Sequence, residues 1–164
     1  MPTSLPIPIE FRLPEGWLPA RTKGDDPGVA FAALHPRPDA GFAANITIEG
    51  GYPPEVETLT ELASESAERL GETAESLTVA DRREFDSAGV PALTQRLVFS
   101  VATGDVHRDL VQSQVYLSVI DTEEPRKRAV IRLVLTATAA QHDRVLGDFQ
   151  EFLRSVRAGT GKAA

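Results

Sequence analysis

At 164 residues, with 41% hydrophobic and 25% charged residues, the chain has the composition of one globular domain with a sizeable core. A net charge of −7 argues against a nucleic-acid partner, which would want a basic stripe. The complete lack of cysteine excludes disulfides, thiolate nucleophiles and thiolate-bound metals.

The only dense basic run, Arg126-Lys127-Arg128, follows Asp121, Glu123 and Glu124 and reads as a solvated hairpin loop. No charged segment followed by an apolar run opens the sequence, and no apolar stretch reaches the ~20 residues a membrane helix needs. The expectation is a cytoplasmic protein without membrane insertion. Arginine far outnumbers lysine, a flavour of GC-rich bacterial genomes.

In chain order, prolines at 2, 6 and 8 make residues 1–8 an extended arm. A strand is predicted from Ile9 to Leu13, stopped by the turn Pro14-Glu15-Gly16-Trp17. Arg21 to Gly28 is a polar loop. Val29 to Leu34 and Phe42 to Glu49 read as strands around the loop from Pro36 to Gly41. Gly50-Gly51-Tyr52-Pro53-Pro54 breaks the sheet and leads into a helix. Thr58 with Glu61 fits a capping box, and Gly71 is the expected helix stop. Leu59, Leu62, Ala63, Ser66, Ala67 and Leu70 fall at helical spacing. So narrow and small a stripe predicts a helix lying close to whatever it covers.

A strand from Glu75 to Phe85 and the turn Asp86-Ser87-Ala88-Gly89 come next. From Leu93 to Thr136 the chain alternates apolar and polar residues through three long strands, turning near Thr103-Gly104-Asp105 and from Asp121 to Pro125. One face is read as Leu93, Leu97, Phe99 and Val101, then Val111, Val115, Leu117 and Val119, then Ala129, Ile131, Leu133 and Leu135. The final helix begins at Thr138, with Gln141 in a second capping-box spacing. Its apolar stripe is Val145, Phe149, Phe152, Leu153 and Val156, and Arg154 and Arg157 suit the negative end of its dipole. Residues 159–164 read as a frayed tail, leaving one domain over 9–158.

Three strands, a helix, four strands and a helix make an α+β layered domain. Its apolar sheet face must be covered by the C-terminal helix, because a bare face of that size would not stay in solution.

No catalytic constellation emerges. No two of His35, His107 and His142 stand at metal-ligand spacing, so structural or surface roles are expected and no metal or other cofactor is assigned. A Gly-x-Ser-x-Gly elbow is missing, and the glycines do not make a phosphate-cradling loop. Asp25-Asp26-Pro27-Gly28 lacks the spacing of a calcium loop and reads as a turn. Asn45-Ile46-Thr47 matches a glycosylation sequon but lies in a predicted strand, and Trp17 reads as packing. One constellation stands out on the other, mixed face: Arg96, Val98, Gln112, Gln114, Tyr116, Arg132 and Val134. In a meander these would occupy neighbouring rungs of one surface, offering amide, guanidinium and phenol groups around valine to a partner. The competing reading is that the first helix or a long loop covers this face and the polar groups satisfy one another.

The segment Phe11-Arg12-Leu13-Pro14-Glu15-Gly16-Trp17 resembles the opening of the photosystem II subunit P-like (PsbP/Mog) superfamily. The long helix after the third strand, the meander and the last helix also resemble that fold. Within it, Ala44-Asn45-Ile46-Thr47-Ile48 and the ending from Phe149 to Val156 are most similar to the actinobacterial LpqN-type group. The resemblance, spanning about Ile9 to Arg157, implies an α/β/α sandwich around an antiparallel sheet of six to seven strands. It also implies a non-catalytic role, since relatives include photosystem assembly subunits, Ran-binding factors and chaperones. The LpqN-type members are mostly lipoproteins, and this chain lacks the lipobox cysteine. The expectation is a chaperone-like or accessory module with a protein partner, and the alternative is a carrier of a lipid-like or other apolar ligand.

Overall fold

The computed structural model describes residues 9–20, 29–39, 41–51, 58–87, 90–120 and 128–158. The expected N-terminal arm, the loop 21–28, the loop 121–127 and the C-terminal tail lie outside these residues. Short strands β1 (Ile9–Glu10) and β2 (Leu18–Ala20) flank the Pro14 turn. There Gly16 takes φ +90° and the Trp17 amide donates to the Pro14 carbonyl at 3.2 Å. Then come β3 (Val29–Leu34), β4 (Asn45–Gly51), α1 (Leu59–Thr73), β5 (Ser76–Ser87), β6 (Val90–Thr103), β7 (Val106–Ile120), β8 (Arg128–Thr138), α2 (Ala139–Ser155) and β9 (Arg157–Ala158).

Seven strands form one antiparallel sheet in the order β2-β3-β4-β8-β7-β6-β5. The β4–β8 neighbourhood follows from the crossover through α1, which carries the chain to the far edge before the meander returns. Strands β1 and β9 pair separately, tying the start of the described chain to the end of α2.

The two helices cover opposite faces, and the register decides which residues each meets. The β6–β7 hairpin turns through Gly104 and Asp105, with Gly104 at φ +62°, so Thr103 opposes Val106. A two-residue turn pairs odd positions of β6 with even positions of β7. Leu93, Gln95, Leu97 and Phe99 therefore lie opposite Tyr116, Gln114, Gln112 and Leu110, on the face under α1. Val115, Ile131, Leu133 and Leu135 point the other way, with Ile46 and Ile48, into the core that Val145, Phe149 and Phe152 of α2 close. Trp17 completes that core and donates through Nε1 to Asp148 at 2.9 Å.

The single apolar face read from the sequence is thus two half-faces. Its β7 and β8 members pack under α2, while Leu93, Leu97 and Phe99 pack under α1. Helix α1 begins as expected, with the Thr58–Glu61 capping box present on both sides. It runs past Gly71 to a C-cap at Ala74, whose amide still reaches the Leu70 carbonyl at 3.0 Å. In α2 the Thr138 hydroxyl accepts from the Gln141 amide, but the Gln141 side chain donates to the Arg37 carbonyl at 3.0 Å instead of returning to the cap. Arg154 lies in the last turn of α2, and Arg157 falls beyond it in β9. No helix among the described residues is long and apolar enough to cross a membrane.

Candidate functional site

The seven residues proposed as one surface do not share a face. Gln112, Gln114, Tyr116, Arg132 and Val134 stand on adjacent rungs of β7 and β8 on the α1 side. Arg96 and Val98 point to the α2 side, opposite Ser113 and Val111. The two-residue turn is the reason: it shifts the parity of β6 by one relative to a simple odd-with-odd alignment.

On the α1 side the amides of Gln95 and Gln114 and the Tyr116 hydroxyl bond to one another and to α1. The buried Arg132 Nε has no hydrogen-bond partner among the described residues. Gln114 Oε1 accepts from Gln95 Nε2 at 2.7 Å and from the Tyr116 hydroxyl at 2.8 Å. Gln114 Nε2 donates to Ser66 Oγ at 3.2 Å and to the Gln112 amide oxygen. Gln95 Nε2 also reaches the Ala63 carbonyl at 3.0 Å, and its oxygen takes two bonds from Arg82 at 3.0 and 2.8 Å. Both buried amides thereby use their donor and acceptor capacity inside the fold. Burial raises the Tyr116 hydroxyl pKa, against the opposing pull of the Arg132 guanidinium. Arg132 stacks 6.0 Å from the Tyr116 ring centre and pairs with Glu49 at 3.3 Å. Gln114, Tyr116 and Val134 are buried.

On the α2 side the arrangement is different. The helix lies over β7, β8 and β4, and the corresponding face of β5 and β6 carries no helix among the described residues. Phe85 of β5 is 43% exposed there and Val98 of β6 is 39% exposed. A bulge between Val79 and Asp81 flips the parity of β5, which places Asp81 beside Arg96 and Arg83 beside Thr94 on this face. Between it and α2 runs a groove of about 300 Å³, lined by Arg83, Thr94, Arg96 and Ser113 from the sheet and by Leu146, Gln150 and Leu153 from the helix.

At the helix side of this region His142 is buried, its Nε2 at 2.9 Å from Ser113 Oγ. Burial pushes the imidazole pKa down, and the nearby Arg96 charge adds to this, while Asp143 opposes it. A serine, a histidine and an aspartate thus stand in sequence, but Asp143 Oδ1 is 3.7 Å from His142 Nδ1, beyond hydrogen-bond reach, and its side chain is in water. Of the other histidines, His35 meets the Trp17 ring edge-on at 5.2 Å, and the exposed His107 contacts Glu75 at 2.8 Å.

Sequence reasoning missed Asp81, Arg83, Thr94, Ser113 and His142 as neighbours of Arg96. The Gly104-Asp105 turn carried the signal for the β6–β7 part, since two turn residues dictate the cross-strand pairing. No comparable local signal marks the β5 bulge.

No family model matches the sequence, and a comparison with curated proteins finds no match. Solved structures do match. LpqN of Mycobacterium tuberculosis, described as involved in cell envelope biogenesis, aligns with a TM-score of 0.64 at 12% identity, over 90% of this chain and 81% of that one. The cyanobacterial PsbP of Synechocystis aligns at 0.60 and 19% identity, covering 92% and 86%. The Ran-binding protein Mog1p of Saccharomyces cerevisiae aligns at 0.60 and 17%, covering 92% and 89%. The chain has the PsbP/Mog-like fold, an α+β domain of seven antiparallel strands between two helices.

Proposed function

We propose that this chain is a non-catalytic accessory module that binds a protein partner through the half of its sheet beside α2, with Arg96 and Val98 among the contacts. The observation that carries this reading is the contrast between the two sheet faces. Under α1 every polar group of the Gln95–Gln114–Tyr116 network has a partner within the chain. Beside α2, exposed Val98 and Phe85 share a sheet face with the charged side chains of Asp81, Arg83 and Arg96. Apolar anchors within a polar rim are the make-up of a protein interface. The likeness of fold to a Ran-binding protein supports a protein partner. Gln112, Gln114, Tyr116, Arg132 and Val134 are assigned in this reading to holding α1 on the sheet.

Site-specific photo-crosslinking tests it. A benzophenone side chain at position 98 should give a discrete adduct in the host cell, and one at the exposed Glu68 of α1 should not. Adducts of equal yield and identity from both positions would remove the proposed surface.

A further inference from the structure

The groove beside α2 has a chemistry that narrows its occupant, and the narrowing rests on the function proposed above. Arg96 is exposed and forms no ion pair or hydrogen bond among the described residues. The one carboxylate lining the groove, Asp81, stands 3.8 Å from the Arg83 guanidinium. The other polar residues there are Thr94, Ser113 and Gln150, with Gln95 and Gln114, whose amides are used inside the fold. The hydroxyls of Thr94 and Ser113 and the Gln150 amide donate hydrogen bonds to an anion as readily as they accept them. The helix wall opposite offers Leu146 and Leu153, each only half buried, beside Gln150.

We infer that this groove binds an acidic, apolar-flanked segment of a partner protein, an Asp or Glu carboxylate of the partner meeting Arg96 while neighbouring apolar side chains lie against Leu146 and Leu153. A guanidinium prefers a carboxylate because two parallel N–H groups match its two oxygens. An extended peptide suits the lining better than an alkyl chain does. Polar Arg83, Thr94, Arg96 and Ser113 are spread along the floor, where they can meet a peptide backbone; a lipid tail would leave the Thr94 hydroxyl and the Arg96 guanidinium dry and unpaired.

His142 supplies an independent reporter. Burial and the Arg96 charge together lower its pKa, with Asp143 opposing them among the described residues. A carboxylate that neutralises Arg96 removes one of the two lowering influences, so occupation of the groove raises the histidine's titration midpoint.

The test is selection of a random twelve-residue phage peptide library on the full chain. Selected peptides should carry Asp or Glu next to Leu, Ile, Val or Phe. Arg96→Glu should weaken them by about tenfold or more at an unchanged melting temperature. Histidine NMR should show the His142 midpoint moving up when a selected peptide is added. Peptides without acidic enrichment, or acidic peptides indifferent to Arg96→Glu, overturn the inference. If such peptides are nonetheless lost on Val98→Asp, the sheet-face reading stands and only the acidic preference falls. If both substitutions leave binding unchanged, both readings fall. Decanoate that displaces the peptides while binding more tightly than they do would overturn it in favour of a small anionic amphiphile.

Discussion

His142 shows how much a single side chain depends on its tertiary address. In sequence it is a histidine in the first turn of a helix, 29 residues from Ser113. In the fold it is buried against that serine, near Arg96, and at the positive end of the α2 dipole. All three disfavour the imidazolium, so the folded-state pKa lies below the ordinary value of about 6.5. The unfolded chain therefore takes up the proton first as the pH falls through 6.5, and stability is lost toward the folded-state value. The urea midpoint of the wild type should fall between about pH 7.5 and about pH 5, with part of the slope due to this group. In His142→Gln that slope should be shallower; an identical slope would show that the imidazole titrates alike in both states. The same scale explains the misread glutamines. Gln95 and Gln114 read locally as surface residues of their strands, and only the approach of Ala63 and Ser66 of α1 turns them into an internal network.

At the scale of elements, helix starts were legible and helix ends were not. Thr58 and Thr138 announce their helices because a hydroxyl that caps an orphan amide acts over three residues, within reach of the local sequence. Gly71 misleads because a glycine inside a helix costs only about 1 kcal/mol, which the packing of Leu70 and Ala74 against Phe99's cluster outweighs. The two caps differ in reach, and this is testable. Among the described residues the Thr58 side chain bonds to Glu61 alone, within its own box. Thr138 accepts from Gln141 and also donates to Asp39 at 2.6 Å, across 99 residues. Thr58→Ala should cost about 1 kcal/mol and Thr138→Ala about 2 kcal/mol, read from urea midpoints. Equal costs would show that the Asp39 tie adds nothing.

At the scale of the molecule, the sheet divides the apolar side chains between two cores, one under each helix. Phe99, in the α1 layer, and Phe149, in the α2 layer, are separated by the sheet. Phe99→Ala and Phe149→Ala should each cost about 3–5 kcal/mol, and the double variant should show the sum to within about 0.5 kcal/mol. Phe99 and its cross-strand partner Leu110 share one cluster, so their double variant should depart from additivity. Coupling between Phe99 and Phe149 as strong as that between Phe99 and Leu110 would return both phenylalanines to a single core.

Local patterns were enough to establish the kind of domain this is. Period-two alternation makes strands and small-residue or leucine stripes make helices. Strands interrupted by helices in this order leave few layered solutions, and the seven-stranded sheet with two helices is one of them. Which side of the sheet each residue faces was decided only in three dimensions. Side-chain direction in a strand alternates with every residue, so one turn of two residues inverts the face β6 shares with β7 and one bulge inverts the second half of β5 relative to β6. Arg96 and Gln114 are both polar residues of alternating strands, and the two-residue β6–β7 turn puts one beside an open groove and the other in the core.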